Sequence, residues 1–211
     1  MKIVIFGATG GTGRAAVEQA LAAGHTVTAF ARTPSKLGLA HPALRTVQGD
    51  ILDAEAVRVA VEGQDAVLCC VGAPPASQDR IRERGSAVLV AAMDAAGVSR
   101  LVSLSSHGIA ESAVELPWYM RWLVVPLYLR RVFADHEAQE AVVRGSGLDW
   151  TLVRPPHLTD GQPAAKLYHG TGFDPQKARM SIARADVAAF MLAQLGVSTY
   201  QQQTVVVSAA A

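Results

Sequence analysis

The sequence predicts one doubly wound α/β domain, a mainly parallel sheet covered by helices on both faces. Two observations predict it. Short β-branched runs alternate with helical patterns from one end of the chain to the other. The first such run, Lys2-Ile3-Val4-Ile5-Phe6, passes straight into a glycine-rich turn and then into an amphipathic segment. A length of 211 residues suits a single domain over 1–211, large enough to bury a substantial core. The expected strand order is 3-2-1-4-5-6, with a seventh strand beyond.

Taken in order, strands are expected at about 2–6, 25–30, 44–48, 65–71, 100–105, 149–153 and 203–207, each a run rich in Val, Ile, Leu or aromatic residues. Helices are expected at about 12–23, 53–62, 78–96, 134–145 and 184–195. Asp53 is placed to cap the second helix, and Gly24, Gly63, Gly97 and Gly147 follow helix ends as left-handed stops. Cys69 and Cys70 are adjacent in a strand, so they point to opposite faces, cannot readily bridge each other, and read as reduced core residues. The closing Ser-Ala-Ala-Ala is expected to fray.

Pro117 to Phe133, PWYMRWLVVPLYLRRVF, breaks this rhythm. It is too short and too charged to span a membrane. Within a 107–133 insert it is read as a cover for the substrate cleft, or as a subunit or membrane-surface contact. Net charge is +1 and no long block of like charge occurs, so the overall field favours neither nucleic acid nor an acidic membrane surface. The expected partner is a small molecule. Met1 leads directly into the first strand and no apolar run reaches transmembrane length, which gives the expectation of a cytoplasmic protein without integral membrane association.

The turn Gly7-Ala8-Thr9-Gly10-Gly11-Thr12-Gly13 is a phosphate cradle. Gly7 permits a sharp turn, Gly10 lets backbone amides approach a pyrophosphate, and Gly13 lets the helix pack close to the strand. The implied ligand is a dinucleotide. The second strand ends Phe30-Ala31-Arg32, where a carboxylate would favour NAD; a guanidinium there, with Thr33, Ser35 and Lys36 behind it, suits the 2′-phosphate of NADP(H). A solvated surface cluster is the other reading of these cations. Arg14 either adds to the phosphate site or is exposed. Asp50 and Ile51 are placed to flank an adenine, although Asp50 is equally a turn residue. Gly72 and its neighbours are placed to meet the cofactor, or simply end a strand.

Together these pieces resemble the atypical short-chain dehydrogenase/reductase superfamily, in the NAD(P)-binding branch that holds biliverdin-IXβ reductase/flavin reductase and the NmrA-like sensors. The resemblance rests on IFGATGGTG at 5–13, Arg32, GDILDAEAV at 49–57, EGQDAVLCCVG at 62–72, DHEAQEAVVRGSGLDWTLVRPPHL at 135–158 and DVAAFML at 186–192. It implies a Rossmann fold. It further implies that Gly7, Thr9, Gly10, Gly11, Thr12 and Gly13 hold the pyrophosphate, Arg32 and Lys36 the 2′-phosphate, and Asp50 and Ile51 the adenine. Val71 and Gly72 would line the ribose, with Pro155, Pro156 and His157 beside the nicotinamide, and Ser106 and His136 at the reacting end.

The chain departs from ordinary members in one respect that bears on mechanism. It has no Tyr-x-x-x-Lys pair after the fifth strand, where His136 and Glu140 hold that spacing instead. The expected activity is therefore NADPH-dependent hydride transfer to a planar acceptor that solvent can protonate: a flavin (FMN or FAD), a biliverdin-like tetrapyrrole or a quinone. A non-catalytic NADP(H) sensor or scaffold is the alternative. Ser106 reads as a hydrogen-bond donor to amide or acceptor, or as a strand-end cap. His136 reads as a proton donor or ribose contact, or as a helix-start partner of Glu140. No cluster has metal-ligand spacing. Oligomeric state is left open.

Overall fold

The computed structural model describes residues 1–73 and 79–211. Eight strands form one sheet in the order β3-β2-β1-β4-β5-β6-β10-β8. These are β1 (Lys2–Phe6), β2 (Thr26–Ala31), β3 (Leu44–Gln48), β4 (Ala66–Cys69), β5 (Arg100–Leu104), β6 (Asp149–Arg154), β8 (Leu167–Gly170) and β10 (Gln203–Ala209). Every neighbouring pair is parallel except β10 with β8. The expected order of the first six strands is observed, and the seventh strand is β10 beside β6. A separate parallel pair is formed by β7 (His157–Thr159) and β9 (Ser181–Ala183).

The alternation of each strand assigns its side chains to two cores. Ile3, Ile5, Ala29 and Leu68 pack with α1 (Gly11–Ala22) and α5 (Arg184–Ala193). Val4, Phe6, Val67 and Leu101 pack on the other face with α2 (Ala54–Val61), α3 (Ile81–Ala96) and α4 (Arg130–Arg144). Cys69 joins the second core and Cys70 the first, both free thiols, and burial raises the pKa of each. Both faces of the sheet are thus covered, as a parallel sheet requires.

The Asp53 carboxylate accepts from the amides of Glu55 and Ala56, and Gly24, Gly63 and Gly97 adopt left-handed backbone at helix ends. Gly147 does not. The helix before it ends at Arg144, three residues earlier, where the Ser146 hydroxyl donates to the Val143 carbonyl and satisfies an end that a left-handed glycine would otherwise close. The third helix starts at Ile81; residue 78, its expected start, lies outside the described residues. Its first turn has no local side-chain cap. Asp135 of α4 supplies one from a distance, accepting from the amides of Arg82 and Glu83 at 3.2 and 3.1 Å.

Three further differences have a tertiary origin. The fourth helix begins at Arg130 rather than 134, because a wide π-helix, Met120–Leu129, runs directly into it. The short strands β7, β8 and β9 carry no periodic signal of their own and form by pairing with partners. The last residues do not fray: Ser208 is buried with its hydroxyl donating to the Arg179 carbonyl, Ala210 donates to the Lys166 carbonyl, and Ala211 to that of Lys177.

Candidate functional site

The carboxyl ends of β1, β2, β4, β5 and β6 open onto one cavity of about 810 Å³, within the size range of cofactor sites. At its centre Gly7 has φ +75°, and a Cβ there would lie 2.5 Å from the Cys70 carbonyl oxygen. A Cβ on Gly13 would collide with the Gly7 carbonyl. Only glycine at both positions lets α1 start this close to β1 and β4. Gly10 opens α1 with no side-chain cap, so the first-turn amides remain available, and Thr9, Gly10, Gly11 and Thr12 all line the cavity. Gly13 does not line it; its part is helix packing.

At one end of the cavity lie Arg32, Thr33 and Lys36. Arg32 and Lys36 are exposed, and neither has a carboxylate partner among the described residues. Arg14 is spent elsewhere, paired with Glu18 at 2.9 Å on the surface. Asp50 and Ile51 line the same end, and so do Val71 and Gly72 further along. Asp50 is also a turn residue, since its Oδ1 accepts from the Leu52 amide at 2.9 Å.

At the other end Ser105, Ser106, His136, Pro155 and Pro156 come together. Ser106 is half-buried, its hydroxyl donating to the His107 carbonyl at 3.1 Å, a weak local bond that a ligand can replace. His157, expected beside the nicotinamide, is exposed on β7 and does not line the cavity. Its amide donates to the Met180 carbonyl, and on the extended β7 its side chain faces solvent while the next residue, Leu158, lines the cavity. None of the residues 107–133 lines the cavity either, so the expected cover over the cleft contributes nothing to its wall.

His136 is neither a proton donor at neutral pH nor a partner of Glu140. Burial, with help from the nearby Arg82 charge, lowers its pKa to about 3. Its Nδ1 lies 3.2 Å from Gln139 Oε1, while Gln139 Nε2 donates to Ser103 Oγ and the Leu104 carbonyl. A carbonyl can only accept, so the orientation of the Gln139 amide is fixed and Nδ1 must carry the proton. The other ring nitrogen, Nε2, is a hydrogen-bond acceptor.

Glu140 instead anchors a buried network that supports this end of the cavity. Its carboxylate accepts from Arg154 Nε and Nη2 at 2.7 and 2.6 Å, from the Ser105 hydroxyl at 2.6 Å and from Arg144 at 3.1 Å. Arg154 also reaches Glu111 at 2.8 Å. Next to it, His107 is buried with both ring nitrogens unsatisfied and Glu115 3.6 Å away. Burial and the Arg154 charge lower its pKa to about 4.

Two cations in the cavity wall have no sequence signal. Arg82, buried and paired with Asp135, lines the cavity with an unsatisfied Nε. Arg184, the first residue of α5, packs its side chain against Gly11 and pairs with the exposed Asp160 at 2.7 Å. Nothing near 184 in sequence marks it, because it reaches the cradle only when α5 docks on α1. Among the described residues no group of His, Cys, Asp and Glu could hold a metal.

The model of the NAD(P)H-binding family matches residues 7–197, from the first cradle glycine to the end of the fifth helix region. The chain belongs to this family. An uncharacterised chloroplastic protein of Arabidopsis thaliana is 30% identical over 79% of the chain and 62% of its own length. A (4-alkanoyl-5-oxo-2,5-dihydrofuran-3-yl)methyl phosphate reductase of Streptomyces griseus is 34% identical over 72% of the chain and 46% of its own. The chain therefore spans less than two thirds of the length of these relatives. Among solved structures, the anaerobilin reductase ChuY of Escherichia coli O157:H7 superposes with a TM-score of 0.77 over 99% of this chain and 97% of its own, at 24% identity. That likeness establishes the shared fold.

Two predictions follow from the buried groups. Glu140→Gln leaves Arg154 buried without its bidentate partner and should destabilise the fold by about 3–5 kcal/mol in urea unfolding, whereas Glu140→Met combined with Arg154→Met should recover most of that loss. Additive losses in the double variant would show the two residues to be uncoupled. For the histidines, the native state keeps both rings neutral while the unfolded chain protonates below about pH 6.5. The unfolded state thus binds more protons between pH 6.5 and 4, and stability should fall on acidification by up to about 1.4 kcal/mol per pH unit for each ring. His107→Leu should flatten that slope; an unchanged slope would mean that His107 is protonated in the native state.

Proposed function

We propose that the protein is an NADPH-dependent reductase that passes hydride to a planar acceptor, with a flavin as the first choice and a biliverdin-like tetrapyrrole or a quinone behind it. The observation that carries this reading is the continuity of the cavity from the exposed Arg32 and Lys36, which have no carboxylate partner among the described residues, past the glycine cradle, to Ser106, His136, Pro155 and Pro156. The reductase names of the Streptomyces relative and of the Escherichia neighbour support the same class of chemistry.

A bound NADPH would supply the hydride from its nicotinamide ring. The residues of this chain bind and orient. Arg32 and Lys36 hold the 2′-phosphate as charge-assisted donors, and the uncapped amides of α1 face the pyrophosphate. Arg184 already lies against Gly11 and can exchange Asp160 for a phosphate oxygen. Asp50 and Ile51 flank the adenine. At the reacting end, the Ser106 hydroxyl donates to the carboxamide or acceptor, and His136 Nε2 accepts from a ribose hydroxyl.

Proton supply separates this site from that of an alcohol dehydrogenase. Neither Tyr nor Lys lines the reacting end, and His136 is neutral there. The acceptor must take its proton from water, which suits a conjugated ring system and not a simple ketone. The same wall would serve an NADP(H) sensor, and turnover distinguishes the two.

The test is NADPH oxidation by the purified protein with FMN, beside matched NADH and no-enzyme reactions. Saturable turnover that prefers NADPH is expected. Arg32→Ala should weaken NADPH binding about ten- to a hundredfold and leave NADH nearly unchanged, as the loss of a charge-assisted contact dictates, while Ser106→Ala should lower kcat and spare NADPH affinity. Tight NADPH binding without turnover on FMN, biliverdin or a quinone would favour the sensor. Equal weakening of both cofactors by Arg32→Ala would remove Arg32 from the phosphate site.

A further inference from the structure

The segment 117–133, which adds nothing to the cavity wall, presents a large apolar face to water. Trp118, Trp122, Leu127 and Tyr128 are 70, 67, 71 and 74% exposed, and Tyr119 and Leu123 accompany them. Their spacing is not accidental. Trp118 and Tyr119 lead into the π-helix, in whose wide turns a face repeats roughly every four to five residues, so that 118, 122 and 127 form one row and 119, 123 and 128 the next. Met120, Val124, Val125 and Leu129, on the complementary positions, are half-buried. The sequence thus places one set of apolar residues inward and a second, larger set outward, where six bulky side chains form a contiguous patch of the kind that marks an interaction site.

The charges around the patch are of one sign. Segment 117–133 contains Arg121, Arg130 and Arg131 and no acidic residue. Arg121 stacks over the Trp122 ring at 5.2 Å, and none of the three arginines has a carboxylate partner among the described residues. The acids on flanking elements are engaged elsewhere: Glu111 with Arg154, Asp135 with Arg82, Glu115 beside His107 and the Phe173 amide, and Glu137 on the Ala110 amide.

We propose that this face docks flat on the surface of an anionic phospholipid bilayer. Exposed Trp, Tyr and Leu on one face, edged by arginine, is the composition of a helix lying in the membrane interface. Two copies of the chain packing the same face together would bring six arginines into one contact with no acid in the segment to offset them, which disfavours self-association. The chain's overall charge of +1 gives no sign of such a surface, because the acids that balance it lie elsewhere. The attachment is peripheral, since among the described residues no helix is long and apolar enough to cross a membrane.

The experiment is flotation of the full chain with vesicles of phosphatidylcholine alone and of phosphatidylcholine with phosphatidylglycerol. Binding to the anionic vesicles is expected, with a blue shift of tryptophan emission, because Trp118 and Trp122 leave water while Trp150 is already 7% exposed in the core. Arg121→Gln, Arg130→Gln and Arg131→Gln together should lower partitioning about a hundredfold. Trp118→Ser with Leu127→Ser should abolish it while leaving the circular-dichroism melt and NADPH binding intact. Absence of flotation, equal partitioning onto neutral and anionic vesicles, or unchanged binding by the Trp118→Ser, Leu127→Ser variant would each overturn the proposal. So would a concentration-dependent dimer in sedimentation that excludes the protein from vesicles.

Discussion

The buried pairing of Arg154 with Glu140 holds together the parts on which the rest of this molecule depends. Arg154 is the last residue of β6, Glu140 lies on α4, and Ser105 follows β5; one carboxylate joins all three. Both charged side chains are almost without solvent contact, at 2 and 4% exposure. Burial of an ion pair carries a large desolvation cost, so it is tolerated only with near-complete hydrogen bonding. That condition is met here, since four donors converge on the Glu140 carboxylate. The geometry then fixes the chain on either side, with Ser106 and the Pro155-Pro156 turn emerging at the reacting end of the cavity.

Burial keeps protons off the neighbouring histidines, with help from the Arg154 charge at His107 and from the Arg82 charge at His136. Gln139, tied to the end of β5, orients the His136 ring. The departure from the Tyr-x-x-x-Lys pattern is therefore structural as well as chemical: Glu140, at the position of the expected cation, has become a core anchor.

Periodic features were legible from the chain alone. The six-strand order, the two-sided core, the Asp53 cap and the cradle glycines follow from alternation, glycine placement and cap chemistry that neighbours in sequence enforce. The place of Arg32 and Lys36 in the cavity wall was legible for the same reason, as they lie directly after a strand whose end opens onto the cavity. What the sequence concealed depends on contacts between distant segments. Arg82 and Arg184 enter the cavity through helix docking, His157 faces solvent because pairing with β9 holds β7 extended with Leu158 on the cavity side, and the remote Asp135 cap on α3 has no local counterpart. The segment 117–133 was recognisable as unusual, but which of its apolar residues face outward depends on its wide helical pitch.

The strand order has a consequence for how the domain is assembled. Strands β1 to β6 build the sheet outward in both directions from β1, and the last of their connections, from Leu104 to Asp149, is nearly as long as the one that follows β6. β10 returns from beyond the stretch Pro155 to Gln202 to cover β6, carries Val205 and Val207 into the core and provides the edge on which β8 pairs. Until it arrives, β6 presents a hydrogen-bonding edge, and closing so long a loop is entropically slow. An uncovered β6 edge is open to pairing with another chain, so β10 guards the sheet against edge-to-edge association as well as completing its core.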